Sequence, residues 1–171
     1  GDRVVVPSYV CAAVLNAVMY AGAEPVVADV SPDDGNMGAR DAAAAMGRRR
    51  AAAVIVSHMF GLEAPVEEIA ALGAPVLEDF TMTVGGGTGG RPAGSRGAAS
   101  AASFYASKMM STQQGGILLT DGRERWLRAR DRASYDGRAR YEVRFNYAMT
   151  GLAAALGLAG LRALDGVVRR R

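Results

Sequence analysis

The sequence has very few of the side chains that most often carry chemistry. It contains one cysteine, one histidine and one lysine, and aromatic residues make up 6% of its 171 residues. The single cysteine, Cys11, excludes a disulfide within the chain and is consistent with a reducing compartment, so we expect a cytoplasmic protein. The one histidine and the one cysteine are far apart in the sequence and do not form the ligand set of a metal site, so we expect no bound metal.

Charge and hydropathy argue against two further classes of protein. The net charge is only +3, and acidic residues and arginines are mixed along the chain, which argues against nucleic-acid binding. The most apolar late segment, residues 151–161, is too short to cross a bilayer and is followed by Arg162. The chain starts as a turn entering a strand and stops within a predicted helix, so we expect a fragment of a longer protein.

The first half of the chain alternates short apolar segments with helical segments. Strands are predicted at residues 4–6, 25–30, 51–57 and 75–79. Helices are predicted at residues 8–21, with Ser8 as the N-cap, at residues 39–46 and at residues 65–72. This alternation is typical of an α/β protein with a mainly parallel central sheet and flanking helices.

The second half follows a different pattern. After a glycine-rich loop at residues 83–96, two strands are predicted at residues 97–105 and 116–119, and the absence of a long helix between them favours an antiparallel pair. Helices are predicted at residues 122–134 and from residue 149 onward, on either side of a polar loop. Gly85, Gly87 and Gly90 match the dinucleotide pattern G-x-G-x-x-G, but no helix follows them, so we interpret this segment as a flexible connection.

Lys108 is the residue around which a functional hypothesis can be built. It is the only lysine among the twenty lysine and arginine residues. Arginine cannot give up its proton to become a nucleophile, whereas a lysine amine can. One interpretation is a surface lysine without a special role. The other rests on its position just past a predicted buried strand, where ligands bind in α/β proteins.

Two acidic residues end another predicted strand. By strand alternation one of the pair Glu78 and Asp79 points into each face of the sheet, and Asp79 is expected at the ligand edge or as a brace for the following loop. His58 also ends a strand, and we interpret it as a packed or supporting residue rather than as a member of a catalytic triad. A lysine, an acid and the hydroxyl of Ser103 are together the parts that pyridoxal 5'-phosphate (PLP) requires.

The ordered motifs of the chain resemble those of the DegT/DnrJ/StrS-type sugar aminotransferases. The resemblance covers essentially the whole chain and rests on these segments in this order: residues 1–9 (GDRVVVPSY), 20–30 (YAGAEPVVADV), 58–61 (HMFG), 76–79 (VLED), 94–97 (GSRG), 103–108 (SFYASK), 115–120 (GGILLT) and 145–150 (FNYAMT). It implies the fold type I large domain of a PLP-dependent enzyme, present in part, with a C-terminal small domain outside this chain.

The resemblance also implies a role for each matching residue. Lys108 would bind the cofactor as a Schiff base, and Asp79 would pair with its pyridine nitrogen. Ser103 would bind the cofactor phosphate, and Asn146 would reach the phosphate bound in the partner subunit of a homodimer. The implied reaction transfers an amino group from an amino acid, glutamate in the family's usual pattern, to a keto-sugar nucleotide. Residues 135–145 are a candidate for reading the substrate.

The sequence departs from the family's pattern in three ways. Met82 stands where the family has a glutamine or histidine that touches the ring hydroxyl, and Cys11 stands where an aromatic ring often stacks on PLP. The family's upstream Ser-Gly-Thr phosphate segment is not within this sequence. These departures motivate a second hypothesis, a relative without transaminase activity that serves as a regulatory or structural partner subunit. A third, an unrelated α/β binding domain, would make the ordered motifs a coincidence.

Overall fold

A computed structural model describes residues 1–137 and 139–170. The chain divides into two compact units, Gly1–Ala102 and Ser103–Arg171. The first unit contains the parallel sheet, and the second contains the predicted lysine site and the two last helices.

The first unit is organised on parallel strands linked by helices. Its strands are β1 (Arg3–Pro7), β2 (Glu24–Ala28), β3 (Ala53–Ser57) and β4 (Val76–Asp79), followed by two short strands, β5 (Gly87–Thr88) and β6 (Arg91–Pro92), and by β7 (Ala99–Ser103). The helices are α1 (Ala12–Tyr20), α2 (Ala39–Met46) and α3 (Val66–Ala70). The order β2-β1-β3-β4-β7, parallel at every pairing, confirms the predicted α/β class.

The predicted start of the first helix was wrong. The Ser8 amide donates to the Ala28 carbonyl at 2.8 Å, so Ser8 continues the pairing of β1 with β2 and does not cap a helix. Helix α1 begins at Ala12, and its N-cap is Cys11, whose backbone is extended and whose side chain makes no capping hydrogen bond. The sheet hydrogen bond outweighs the local preference of serine for helix starts.

One face of the sheet carries the main apolar core. Alternate residues of neighbouring strands point to the same side, and those on this face are almost fully buried. The residues that form the core with α2 and α3 are Val5, Ala28, Val54, Val56 and Val76 from the strands and Ala42, Val66 and Ile69 from the helices. Glu78 shares this buried face, which makes it a polar group that requires hydrogen-bond partners.

The glycine-rich loop contains a small antiparallel hairpin. Strands β5 and β6 pair Gly87 with Pro92 and Thr88 with Arg91. A Cβ at Gly87 would lie 2.3 Å from the Arg91 carbonyl oxygen, so this glycine is needed for the strands to meet. The motif of Gly85, Gly87 and Gly90 opens no helix, as the sequence predicts.

The second unit contains β8 (Gly116–Leu119), α4 (Arg123–Arg132) and α5 (Gly151–Val168). Strands β7 and β8 are both present, and their antiparallel pairing stays a prediction. The Thr150 hydroxyl accepts a hydrogen bond from the Ala153 amide at 3.2 Å and caps α5. Two small residues of α5, Gly157 and Gly160, lie against the segment that follows Lys108, where a Cβ would meet the side chains of Thr112 and Met110 at 3.1 and 3.6 Å.

Helix α5 confirms the helix predicted from residue 149 onward, although it begins at Gly151, and few of its residues are buried. Its 18 residues have a mean hydropathy of 1.5 and are long and apolar enough, by length and composition alone, to cross a membrane, and 11% of them are buried. The expectation that this segment is too short counted only residues 151–161, but the helix continues past Arg162. Leucines such as Leu152, Leu158 and Leu161 are exposed along it.

The buried valines of the sheet generate a stability prediction. Val54 is 0% exposed in the core, whereas Val27 on β2 is 54% exposed. We expect Val54→Ala to lower the free energy of unfolding by about 2 kcal/mol, because the transfer energy is lost and a cavity remains. Val27→Ala, the same change at an exposed position, should lower it by less than about 0.5 kcal/mol. Urea unfolding followed by circular dichroism measures both, and equal losses would contradict the assignment of the core.

Candidate active site

Asp79 lies at the carboxyl end of β4, on the sheet face opposite to the apolar core. In register it stands beside Ser57 of β3 and Ala101 of β7. The burial of β4 alternates, with Glu78 buried and Asp79 partly exposed. This confirms that the two adjacent acids point to opposite faces, and it leaves Asp79 at the edge where α/β proteins bind ligands.

The two oxygens of the Asp79 carboxylate have different surroundings. Oδ1 accepts hydrogen bonds from the Thr81 amide at 3.0 Å and from the Thr81 hydroxyl at 2.5 Å. Oδ2 accepts no hydrogen bond from any residue in the described ranges 1–137 and 139–170. The carboxylate is therefore braced by the following turn and keeps one oxygen for a further donor, while its role in ligand binding stays a prediction.

Glu78 is the most heavily hydrogen-bonded side chain of the first unit. Its Oε1 accepts from the backbone amides of Arg96, at 2.7 Å, and Gly97, and its Oε2 accepts from the Gly94 amide at 3.1 Å and from His58 Nε2 at 3.0 Å. Glu78 is 2% exposed. One buried carboxylate thus fixes β4, the end of β3 and the loop at residues 94–97 to each other.

The hydrogen bonds of His58 define which ring nitrogen carries the proton. Nδ1 accepts from the Ala64 amide at 3.0 Å, so it has no proton, and Nε2 must then be the nitrogen that donates to Glu78. The ring is 1% exposed and both nitrogens are occupied. His58 is a packed, supporting residue, as the sequence predicts, and its two hydrogen-bond partners in the part of the chain that the structure describes are a carboxylate and a backbone amide.

Burial and hydrogen bonding act on Glu78 in opposite directions. Burial alone raises the pKa of its carboxyl group, but the hydrogen bonds from His58, Gly97 and Arg96 favour the charged form and bring the pKa below its usual value. Glu78 is therefore an anion at neutral pH, and its two oxygens accept hydrogen bonds from four donors.

The loop that wraps Glu78 is held by further polar contacts. The Ser100 hydroxyl donates to the Gly94 carbonyl at 2.6 Å. The Arg96 guanidinium pairs with Glu63 at 2.5 Å and with Glu67 at 3.1 Å. A Cβ at Gly97 would lie 2.7 Å from the Val76 carbonyl oxygen, so only glycine fits there. Residues 94–97 are identifiable in the sequence as a family segment, but their role in binding Glu78 is not; the available signal is a glycine-rich turn that follows an acid on a buried strand.

In the second unit, Lys108 lies on the turn that follows β7. Its backbone amide donates to the Tyr105 carbonyl at 2.9 Å. The base of this loop is held by Phe104, whose amide donates to the Gly115 carbonyl and whose carbonyl accepts from the Thr112 amide, both at 2.9 Å. Phe104 and Thr112 are buried, and the Lys108 side chain is partly exposed. The one lysine of the chain therefore lies on a turn that backbone hydrogen bonds hold in place.

Ser103 and Asn146 lie in the same unit as Lys108. The Ser103 hydroxyl accepts from the Tyr105 amide at 3.2 Å, and the residue has a further interaction. Asn146 forms an antiparallel bridge with Ser134. Its neighbours Phe145 and Tyr147 stack on each other with ring centroids 4.8 Å apart. In this extended stretch the exposed Asn146 side chain therefore points away from the stacked rings.

The remaining predicted positions are exposed. Met82 lies in the turn after Asp79 and is 45% exposed, and Cys11 is exposed at the start of α1. The first unit thus holds Asp79, Met82 and Cys11, and the second holds Ser103, Lys108 and Asn146. Residues 135–145, the candidate substrate loop, include residue 138, which lies outside the described residues.

Comparison with known proteins assigns the chain to a family. The profile of the DegT/DnrJ/EryC1/StrS aminotransferase family matches residues 1–171. The chain belongs to this family. It is 33% identical over 177 residues to GDP-perosamine synthase of Caulobacter vibrioides, covering 96% of the chain and 47% of that relative. It is 30% identical over 185 residues to EpsN of Bacillus subtilis, described as a putative pyridoxal phosphate-dependent aminotransferase, covering 100% and 48%.

Solved structures of the family confirm the fold. The chain matches DesI, crystallised in the presence of its TDP-sugar product, with a TM-score of 0.87 and 31% identity over 96% of this chain and 44% of that one. The fold is that of fold type I aminotransferases, and the chain spans about half the length of the curated relatives it matches. The resemblance inferred from the sequence motifs is confirmed at the level of family and fold.

The geometry of Asp79 fits the cofactor that the family uses. A protonated pyridine nitrogen needs an anionic acceptor with a free lone pair, and Asp79 Oδ2 offers one within the described part of the chain while Oδ1 is fixed by Thr81. Lys108 supplies a primary amine on a turn that directly follows a strand. The donor set of this chain is therefore suited to PLP.

The Glu78 network generates a prediction about acid stability. Because the folded-state pKa of Glu78 lies below the unfolded value, the carboxylate contributes stability above about pH 5, and this contribution is lost as the pH falls through the folded pKa. Glu78→Gln should lower the free energy of unfolding at pH 7 by about 2–4 kcal/mol, because the charge-assisted hydrogen bonds are lost. It should also reduce the loss of stability between about pH 5 and pH 2.

Urea unfolding at a series of pH values measures both effects. Glu68→Gln is the matched control, since Glu68 is exposed on α3 and should change neither quantity appreciably. A Glu78→Gln protein with the stability and pH dependence of the Glu68→Gln protein would show that the network does not stabilise the fold.

Proposed function

We propose that the protein is a PLP-dependent aminotransferase that transfers an amino group from an amino acid, glutamate in the first instance, to a keto-sugar nucleotide. The observation that carries this proposal is the match of the whole chain to the family together with Lys108 and Asp79 at the motif positions. The names of its relatives, GDP-perosamine synthase and DesI with a TDP-sugar, support a nucleotide-linked sugar as the acceptor.

In this proposal Lys108 has two roles. Its amine would hold the cofactor covalently, and once released by the amino donor it would act as the base and acid that takes a proton from the donor carbon and returns it. A histidine at this position could carry a proton but could not form the covalent link, so the lysine favours amino transfer. PLP, when bound, supplies the electron sink that makes the donor carbon acidic.

Asp79 and the phosphate ligands complete the proposed site. Asp79 Oδ2 would accept a hydrogen bond from the protonated pyridine nitrogen, and Thr81 would keep the carboxylate in place through Oδ1. Ser103 would donate to the cofactor phosphate. By the family resemblance, Asn146 would reach the phosphate in the partner subunit, and its exposed side chain is compatible with such a contact. A homodimer with shared sites is part of the proposal, and so is a cytoplasmic location, which the single cysteine supports.

The alternative function is that of a regulatory or structural partner subunit without transamination. It is favoured by Met82 and Cys11, which lack the hydrogen-bonding and stacking groups that the family places there. It is opposed by the presence of both Lys108 and Asp79, which a partner that binds no cofactor would not need. Cofactor chemistry on Lys108 separates the two functions.

Lys108 generates the decisive prediction. The purified protein should acquire a visible absorbance band on addition of PLP, and borohydride should fix the cofactor to the peptide that contains Lys108. Lys108→Arg keeps the positive charge but removes the only lysine amine of the chain, so the band and the attachment should both disappear. Peptide mapping by mass spectrometry identifies the attached residue.

Two further results bear on the proposal. Addition of glutamate should bleach the band in the wild-type protein, and a band that another amino acid bleaches while glutamate does not would change the donor. A folded, dimeric protein with no band and no borohydride-fixed PLP would overturn the aminotransferase proposal in favour of the partner subunit.

Met82 offers a test of the altered contact. Glutamine at this position restores a hydrogen-bond donor in the turn after Asp79, so Met82→Gln should tighten PLP binding by about five- to tenfold, the net contribution of one ordinary hydrogen bond. Met82→Leu is the matched control, because it keeps the apolar character and should leave the affinity unchanged. Fluorescence titration with PLP measures the dissociation constants, and equal values for the two variants would show that Met82 does not face the cofactor.

A further inference from the structure

Two exposed aromatic rings lie side by side at the ligand edge of the sheet. Tyr9 follows β1 and Phe60 follows β3, which are neighbouring parallel strands, and Asp79 ends the next strand on the same edge. The ring centroids are 5.9 Å apart, and the ring planes are inclined by 34°. Tyr9 is 52% exposed and Phe60 is 60% exposed. We call these residues the Tyr9–Phe60 pair.

Phe60 adopts a backbone conformation that bulky residues avoid. Its φ is 55° and its ψ is 23°, in the left-handed region, within the short 3₁₀ turn Met59–Gly61. This conformation costs a non-glycine residue about 1–2 kcal/mol. A strained residue usually regains this cost by burial, but the Phe60 ring is mostly in water. Packing within this unit therefore does not account for phenylalanine at this position.

A buried asparagine holds the turn in place. The Asn36 side chain is 2% exposed; its Oδ1 accepts from the Met59 amide at 2.9 Å, and its Nδ2 donates to the Leu62 carbonyl at 3.4 Å. These bonds fix the backbone on both sides of Phe60. The ring is thus held in its exposed position by groups that are themselves anchored in the unit.

Gly35 lies against both rings and limits their positions. A Cβ at Gly35 would lie 3.3 Å from the Phe60 ring and 3.4 Å from the Tyr9 ring, and the φ of Gly35 is +72°. The two rings therefore share contact with one glycine, which leaves little room for them to shift inward. Their other sides are open, so the pair offers a prearranged aromatic surface.

The charges near this surface favour a neutral occupant. Asp33 and Asp34 precede Gly35 in the chain. A hydrogen bond from the Asn36 amide lowers the pKa of Asp34, so this carboxylate is an anion at neutral pH. Two carboxylates on the residues that directly precede Gly35, which lies against both rings, would repel a phosphate or the carboxylate of an amino donor, but not an uncharged heterocycle.

We propose that the Tyr9–Phe60 pair stacks against the base of the nucleotide part of the substrate. This inference rests on the proposed function, because it assigns one part of the proposed keto-sugar nucleotide to one surface. Of the parts of such a substrate, only the base has a flat aromatic face that matches exposed rings. Stacking of a base on an aromatic side chain accepts purines and pyrimidines alike, so the pair binds the nucleotide without choosing between bases.

Two substitutions test this proposal without breaking the turn. Phe60→Asn removes the ring but places in the left-handed conformation a residue that tolerates it. Tyr9→Leu removes the aromatic face but keeps an apolar cover over Gly35. Each should weaken the binding of GDP and TDP by about tenfold, within the range measured for loss of one stacking ring. Isothermal titration calorimetry of the purified, PLP-loaded protein measures the dissociation constants.

Three controls make the result specific. Tyr20→Ala, at an 82% exposed tyrosine on α1, should leave the affinity for both nucleotides unchanged. Pyrophosphate, a probe without a base, should bind both test variants as it binds the wild type. Phe60→Asn should unfold at the same or a higher temperature than the wild type, because the strain is relieved while little buried area is lost.

The outcomes separate this inference from the proposed function. Wild-type affinity for GDP and TDP in both variants would overturn the stacking proposal, and so would an equal weakening of pyrophosphate binding. No binding of either nucleotide by a wild-type protein that carries PLP on Lys108 would also overturn it. Failure of the proposed function has a different signature, since PLP would then not attach to Lys108 whatever the nucleotides do.

Discussion

The buried Glu78 carboxylate is the interaction on which the first unit depends. A charge at 2% exposure is tolerated only when its oxygens are fully hydrogen-bonded, and here three backbone amides of one loop and one histidine donate to it. Each donor loses its partner if the carboxylate is removed. The segments at residues 58–64 and 94–97 therefore take their positions from one side chain on β4, and not from apolar burial alone.

This arrangement also explains why two adjacent acids have different surroundings. Strand alternation directs Glu78 to the core face and Asp79 to the opposite face, so fixing one side chain fixes the direction of the next. The Asp79 carboxylate is then braced by Thr81 through one oxygen only. A rigid support behind a partly exposed acid is what a cofactor-binding carboxylate requires, since its orientation is set before any ligand arrives.

Much of this organisation could be predicted from the sequence, and the exceptions have physical causes. The parallel strands of the first unit, α2, the family and the packed role of His58 follow from apolar periodicity and ordered motifs, whereas the short strands β5 and β6 lie in a segment predicted as a loop. The start of α1 could not be predicted, because a sheet hydrogen bond to Ala28 competes with the capping preference of Ser8. The Glu78–His58 contact joins residues that are distant in sequence, and the left-handed conformation of Phe60 depends on backbone angles. Apolar periodicity reports neither of these features.

The stable network and the strained residue belong to one continuous segment, and this explains how the strain persists. His58 is fixed by Glu78 through Nε2 and ties the Ala64 amide through Nδ1, while Asn36 holds the Met59 amide between them. Because this turn is held at both ends, it cannot relieve strain by moving as a whole. The backbone strain is therefore located at Phe60. The free energy of the buried hydrogen bonds exceeds the cost of one left-handed residue, because each charge-assisted bond contributes about 1.5–3 kcal/mol. The fold thereby keeps an aromatic ring at the ligand edge that local preferences alone would place elsewhere.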